Sequence, residues 1–142
     1  MLRLLALILI ISPAFTFAAD PCTDLESNFL GKFNLSMTES GNPNQNSVVE
    51  VIRWDYGQTW MYTYVNGVRD DSVNIVFGQS YSSGHPVCIL QLNGMLLTNN
   101  LADVQSGHFT FVGLDSQTSK PVSADFRRLP AGANLKTLSY HH

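Results

Sequence analysis

Residues 59–78 read TWMYTYVNGVRDDSVNIVFG, and the reading of this stretch decides the fold. Trp60, Tyr62 and Tyr64 take alternate positions, and so do Val73, Ile75 and Phe77 after them. A period of two is the mark of a β-strand with one buried face. Between the runs stands Asn66-Gly67. Both residues accept positive φ, which suits the type I′ turn of a tight antiparallel hairpin.

The turn sets an expected register. A two-residue connection at Asn66-Gly67 pairs Tyr64 with Arg69, Tyr62 with Asp71 and Trp60 with Val73. A second two-residue turn at Tyr56-Gly57 pairs Arg53 with Trp60, Val51 with Tyr62 and Val49 with Tyr64. One face then collects Val49, Val51, Trp60, Tyr62, Tyr64, Val73, Ile75 and Phe77. It is the richer face and is expected to point inward. The opposite face holds Val48, Glu50, Ile52, Trp54, Met61, Val65 and Val76.

The same alternation runs along the rest of the chain. Phe29, Gly31, Phe33, Leu35 and Met37 share one face of a first strand, with Asn34 and Ser36 on the other. Asn93-Gly94 marks a second hairpin, and GHFTFVG and VSADFRRL flank a third. SGNPNQNS and QSYSSGHP read as loops by composition. A short helical turn over Asp24–Phe29, capped by Thr23, is expected before the first strand. Seven or eight short strands joined mostly by tight turns form an antiparallel meander. The expected fold is all-β: a small barrel, which leaves no open edges, with a two-sheet β-sandwich as the alternative.

The N-terminus carries its own signal. Arg3 precedes an apolar run from Leu4 to Ile11, and Thr16 and Ala18 place small residues ahead of a cut. This is the layout of a secretory signal peptide over residues 1–18. The run is shorter than the roughly 20 residues of a membrane span, so no membrane insertion is expected after cleavage. Residues 19–142 then form a single β-domain with an irregular C-terminal tail, in a secreted or periplasmic setting. Without Arg3 the domain has 7 basic and 11 acidic side chains, a formal −4. That balance gives no basic footprint for nucleic acid. The chain has two cysteines, Cys22 and Cys88. An even count in an exported chain predicts one disulfide. It would close a loop of 67 residues, worth about 4 kcal/mol by chain entropy.

No enzyme signature is present, so no catalytic residue, metal ligand or cofactor is assigned. His108 alternates with Phe109 and Phe111 and is expected to face outward. Asn34-Leu35-Ser36 matches the glycosylation acceptor pattern. Gly31-Lys32-Phe33 is similar to the Gly-x-Trp opening of lipocalin-type barrels over these three residues, with phenylalanine in place of tryptophan. No residue role follows from it.

Small barrels hold ligands in their mouths, between apolar walls and a few polar groups. The expected ligand site is Trp60, Tyr62, Tyr64, Arg69 and Asp71 at one barrel end, for a small apolar or sugar-like molecule. The alternative function is a protein-interaction module, an inhibitor or envelope subunit, using Ile52, Trp54, Met61 and Val65. Those residues are too apolar for a purely solvated face, and they also suggest a homo-oligomer.

Overall fold

The computed structural model describes residues 21–40, 42, 44–99 and 107–133. The expected signal peptide and the last nine residues of the tail lie outside them. The described residues form one helix, α1 (Pro21–Asn28), and eight strands. These are β1 (Gly31–Glu39), β2 (Gln45–Arg53), β3 (Thr59–Val65), β4 (Val68–Ser82), β5 (His85–Leu92), β6 (Met95–Asn99), β7 (His108–Asp115) and β8 (Pro121–Arg128). Each strand pairs antiparallel with the next, and β8 returns to pair with β1, closing a barrel. This closure decides for the barrel over the sandwich.

The turns follow the local chemistry. Asn66-Gly67 and Asn93-Gly94 both have positive φ, as a type I′ turn requires. QSYSSGHP does not form the expected loop. β4 runs on to Ser82 and turns tightly at Ser83-Gly84, both with positive φ, before β5 begins at His85. The helix also begins earlier than expected, so Thr23 lies within it and does not cap it. Pro21 is its first residue, where a fixed φ and a missing N–H are both tolerated.

Helix α1 stoppers one end of the barrel. Its Cys22, Leu25 and Phe29 face are buried, at the i, i+3, i+7 spacing of one helix side. Phe29 follows the last helical turn and enters the lumen. Its ring packs against Phe33, Phe77, Phe109, Phe111 and Phe126, with centroids 4.7–6.1 Å away. Cys22 is disulfide-bonded to Cys88 on β5, tying the stopper to the wall. Glu26 adds a polar tie: Arg53 Nη2 donates to Oε1 at 2.6 Å and Thr59 Oγ1 donates to the same oxygen at 3.2 Å.

The core is the inward row of every strand: Phe33 and Leu35, Val49 and Val51, Ile75, Leu90 and Leu92, Leu97, Phe109 and Phe111, Val122, Ala124 and Phe126. The expected inward residues of β2 and β4 are therefore correct. Strand β3 is turned over relative to the expectation. Val51 pairs with Met61 and Val49 with Thr63, so Thr59, Met61 and Thr63 point inward. Trp60, Tyr62 and Tyr64 point outward.

Two one-residue insertions produce this inversion. The β2–β3 connection has three residues, Asp55, Tyr56 and Gly57, inside a Trp54–Gln58 pair, where Trp54 N–H donates to Gln58 C=O at 2.8 Å. Gly57 N–H returns to Trp54 C=O at 2.8 Å, and Gly57 has φ +76°. This is the turn followed by a left-handed residue that three-residue hairpins use. On the other side, Tyr64 pairs with Arg69 as expected, but Thr63 pairs with Asp71, which leaves Asp70 as a bulge. A slip of one residue exchanges the two faces of a strand. Packing favours the exchange. The lumen already holds six phenylalanine rings, and Tyr and Trp keep their polar tips wet on the outer wall.

Candidate ligand sites on the barrel

The expected site residues separate. Trp60, Tyr62, Tyr64 and Arg69 stay together, but on the outer wall. Asp71 stands on the inward register near the rim, where its Oδ1 accepts the Ser72 backbone N–H at 2.7 Å. The expected interaction face also divides. Met61 is buried in the core, Ile52 lies outward beside Trp60, Trp54 belongs to the β2–β3 loop, and Val65 ends β3.

On the outer wall the polar groups form a network. Tyr64 donates its hydroxyl to Glu50 Oε2. Arg69 Nε donates to the Tyr64 hydroxyl at 2.9 Å and Nη2 to Glu50 Oε2 at 3.3 Å. The Arg69 guanidinium lies 4.2 Å above the Tyr62 ring. Burial and the acceptor Glu50 raise the Tyr64 phenol above its ordinary range, partly offset by Arg69. Beside this network a groove of about 300 Å³ runs along the wall, lined by Ile52, Arg53, Trp54, Asp55, Tyr62 and Arg69.

The second feature was not among the expected residues. At the end opposite α1, the lumen opens into a recess of about 320 Å³. Met37, Met95 and Val122 supply its apolar lining. Glu39, Asn42, Gln45, Asn93, Asp115 and Gln117 supply polar groups from the turns around it. Asp115 accepts the backbone N–H groups of Thr118 at 3.0 Å and Gln117 at 2.6 Å, which holds its carboxyl below the usual range. Glu39 accepts from the Thr118 hydroxyl at 2.9 Å and from the Asn42 amide. The alternation did mark Met37 as inward. What the pattern lacked was the height at which phenylalanine filling stops.

His108 faces outward, as the alternation implies, and pairs with Asp125 across β7–β8. Thr110 and Arg127 donate to the same carboxylate at 3.1 and 3.0 Å. The carboxylate is thus occupied in joining strands. Among the described residues no group of three or more His, Cys, Asp or Glu is placed to hold a metal ion. Among them also no helix is long and apolar enough to cross a membrane. The chain is a closed eight-stranded antiparallel barrel with one disulfide. No protein-family model, curated protein or solved structure matches it.

Proposed function

We propose that this chain is an exported, non-enzymatic binding module whose open barrel mouth takes a small, sugar-like molecule. One observation carries the reading: the recess is a dead end of about 320 Å³, rimmed by amides and carboxylates and floored by Met37, Met95 and Val122. Its size falls at the small end of ordinary ligand pockets. A long apolar ligand has no room, because the lumen beneath is filled by Phe33, Phe109, Phe111 and Phe126 around Phe29. A compact ring bearing hydroxyls fits better. Each hydroxyl both donates and accepts, which matches side-chain amides and carboxylates side by side. Export is supported by the leader pattern and by the Cys22–Cys88 disulfide, since such bonds persist in oxidising compartments.

Calorimetric titration with monosaccharides, small polyols and long-chain fatty acids tests the reading. At least one sugar or polyol should bind, and Met95→Trp, which fills the recess, should abolish binding. Binding of the fatty acids alone would refute it.

The interaction reading keeps one observation in its favour. Leu96 and Leu114 are paired across β6 and β7 with both side chains half-exposed on the outer wall, and Val112 continues the patch. Such patches mark contact surfaces. Sedimentation showing a dimer that Leu114→Lys dissociates would support that reading; a monomer at all concentrations would end it.

A further inference from the structure

The wall groove stands apart from the mouth and makes a different chemical offer. Arg69 commits Nε to Tyr64 and Nη2 to Glu50, and Arg53 commits Nη2 to Glu26. Among the described residues Nη1 of neither guanidinium makes a hydrogen bond, so N–H donors from two sides remain available to the groove. Asp55 adds a carboxylate acceptor to the lining. Trp54 is 52% exposed and adds a flat indole, and Ile52 adds apolar surface.

We propose that this groove is a second binding site, and that its ligand is a neutral polysaccharide. A pyranose unit has hydroxyls at its edge and a face of C–H groups. The edge needs donors and acceptors together, which Arg53, Arg69 and Asp55 supply. The face needs an aromatic plane, which Trp54 supplies. Neutrality follows from the charges: the two guanidiniums stand against Asp55 and their own partners Glu26 and Glu50. No surplus of positive charge remains to select an acidic sugar. A polymer follows from the shape. The mouth is a dead end, whereas the groove lies along an open wall, so units before and after the bound ring extend into solvent. The half-exposed Trp60 on the same outer wall gives such a chain a further aromatic surface.

The chain has two tryptophans, Trp54 and Trp60, and both lie on this side of the barrel. Tryptophan emission therefore reports on the wall and not on the mouth. The test is affinity electrophoresis through gels containing galactomannan, xyloglucan, β-1,3-glucan, starch or polygalacturonate, with emission titrations against the same polymers. At least one neutral polymer should retard the protein and change its emission. Trp54→Ala, at an exposed loop position, should weaken the retardation at least tenfold with unchanged circular dichroism. Met95→Trp, in the mouth, should leave retardation intact. The proposal is overturned by any of three results: no retardation in the neutral gels, retardation that survives Trp54→Ala, or retardation by polygalacturonate alone that salt abolishes. None of these bears on sugar binding in the mouth, which the calorimetry reads separately.

Discussion

The guanidinium of Arg128, at the end of β8, lies 4.9 Å over the ring of Phe33, near the start of β1. The two residues are also partners in the strand pair that closes the barrel. Arg128 further donates Nη1 to the Leu30 carbonyl at 2.6 Å and Nη2 to the Asn28 carbonyl. One side chain therefore joins the last strand, the first strand and the end of α1. The expected cost of Arg128→Ala is about 2 kcal/mol of unfolding free energy, from charge-assisted hydrogen bonds and the stacked ring together. Arg128→Lys should recover less than half, because an ammonium cannot fork to two carbonyls while lying flat on a ring. Urea unfolding curves measure both variants, and equal midpoints for wild type and Arg128→Ala would refute the role.

Gly113 predicts a sharper loss. It sits inward on β7 opposite Leu97, and a Cβ there would stand 2.0 Å from the Leu96 carbonyl oxygen. That neighbour is backbone in a paired strand, so relief requires β6 to move. Gly113→Ala should cost more than 2 kcal/mol, in the range of strained core substitutions. Gly57→Ala is the control. A Cβ there meets open space, and only the positive φ opposes it, for about 1 kcal/mol. If the two variants melt together, the close approach of β6 and β7 is wrong.

Much of this architecture is legible in the chain, and what escaped has a physical explanation. The turn dipeptides Asn66-Gly67 and Asn93-Gly94 announce their hairpins, and the inward rows of β2 and β4 follow from alternation alone. Two cysteines behind an expected leader predict the Cys22–Cys88 bond that the fold contains. Strand β3 misleads because alternation gives two faces but not which is inward. Its neighbours would settle the choice, but the extra residue at the Asp55–Gly57 connection and the bulge at Asp70 each shift the count by one. The deeper cause is volume. Phe33 comes from β1, Phe109 and Phe111 from β7 and Phe126 from β8, all distant from β3 in sequence, and together with Phe29 they leave no space for Trp60, Tyr62 and Tyr64. No local window contains that constraint. Alternation alone therefore places the aromatic site inside the barrel, while its members stand on the wall.

The acid limb of stability should run through Asp125. Burial pushes its carboxyl up, but hydrogen bonds from His108, Arg127 and Thr110 outweigh burial and leave it below the usual range. The unfolded value is about 3.9. A folded value below that contributes stability fully present above about pH 4, and lost as pH falls through the folded value. Asp125→Asn should therefore lower the melting temperature near neutral pH and flatten its decline between about pH 4 and 2. Superimposable acid limbs in wild type and variant would show that another group carries the dependence.

Phe29 gives the most direct test of the filled lumen on which the choice of a polar ligand rests. Its ring is fully buried and meets five other phenylalanines, so Phe29→Ala removes the centre of the cluster. The loss should be about 3–5 kcal/mol, as for large aromatic truncations. The disulfide keeps α1 tethered to β5, so the variant should still fold, with a dry apolar cavity where the ring was. Engineered cavities of that kind bind small aromatic molecules. Toluene should raise the melting temperature of Phe29→Ala and leave the wild type unchanged. If toluene stabilises the wild type equally, the native lumen already has room for an apolar guest. An apolar ligand, and not a sugar-like one, would then become the better reading of the mouth above it.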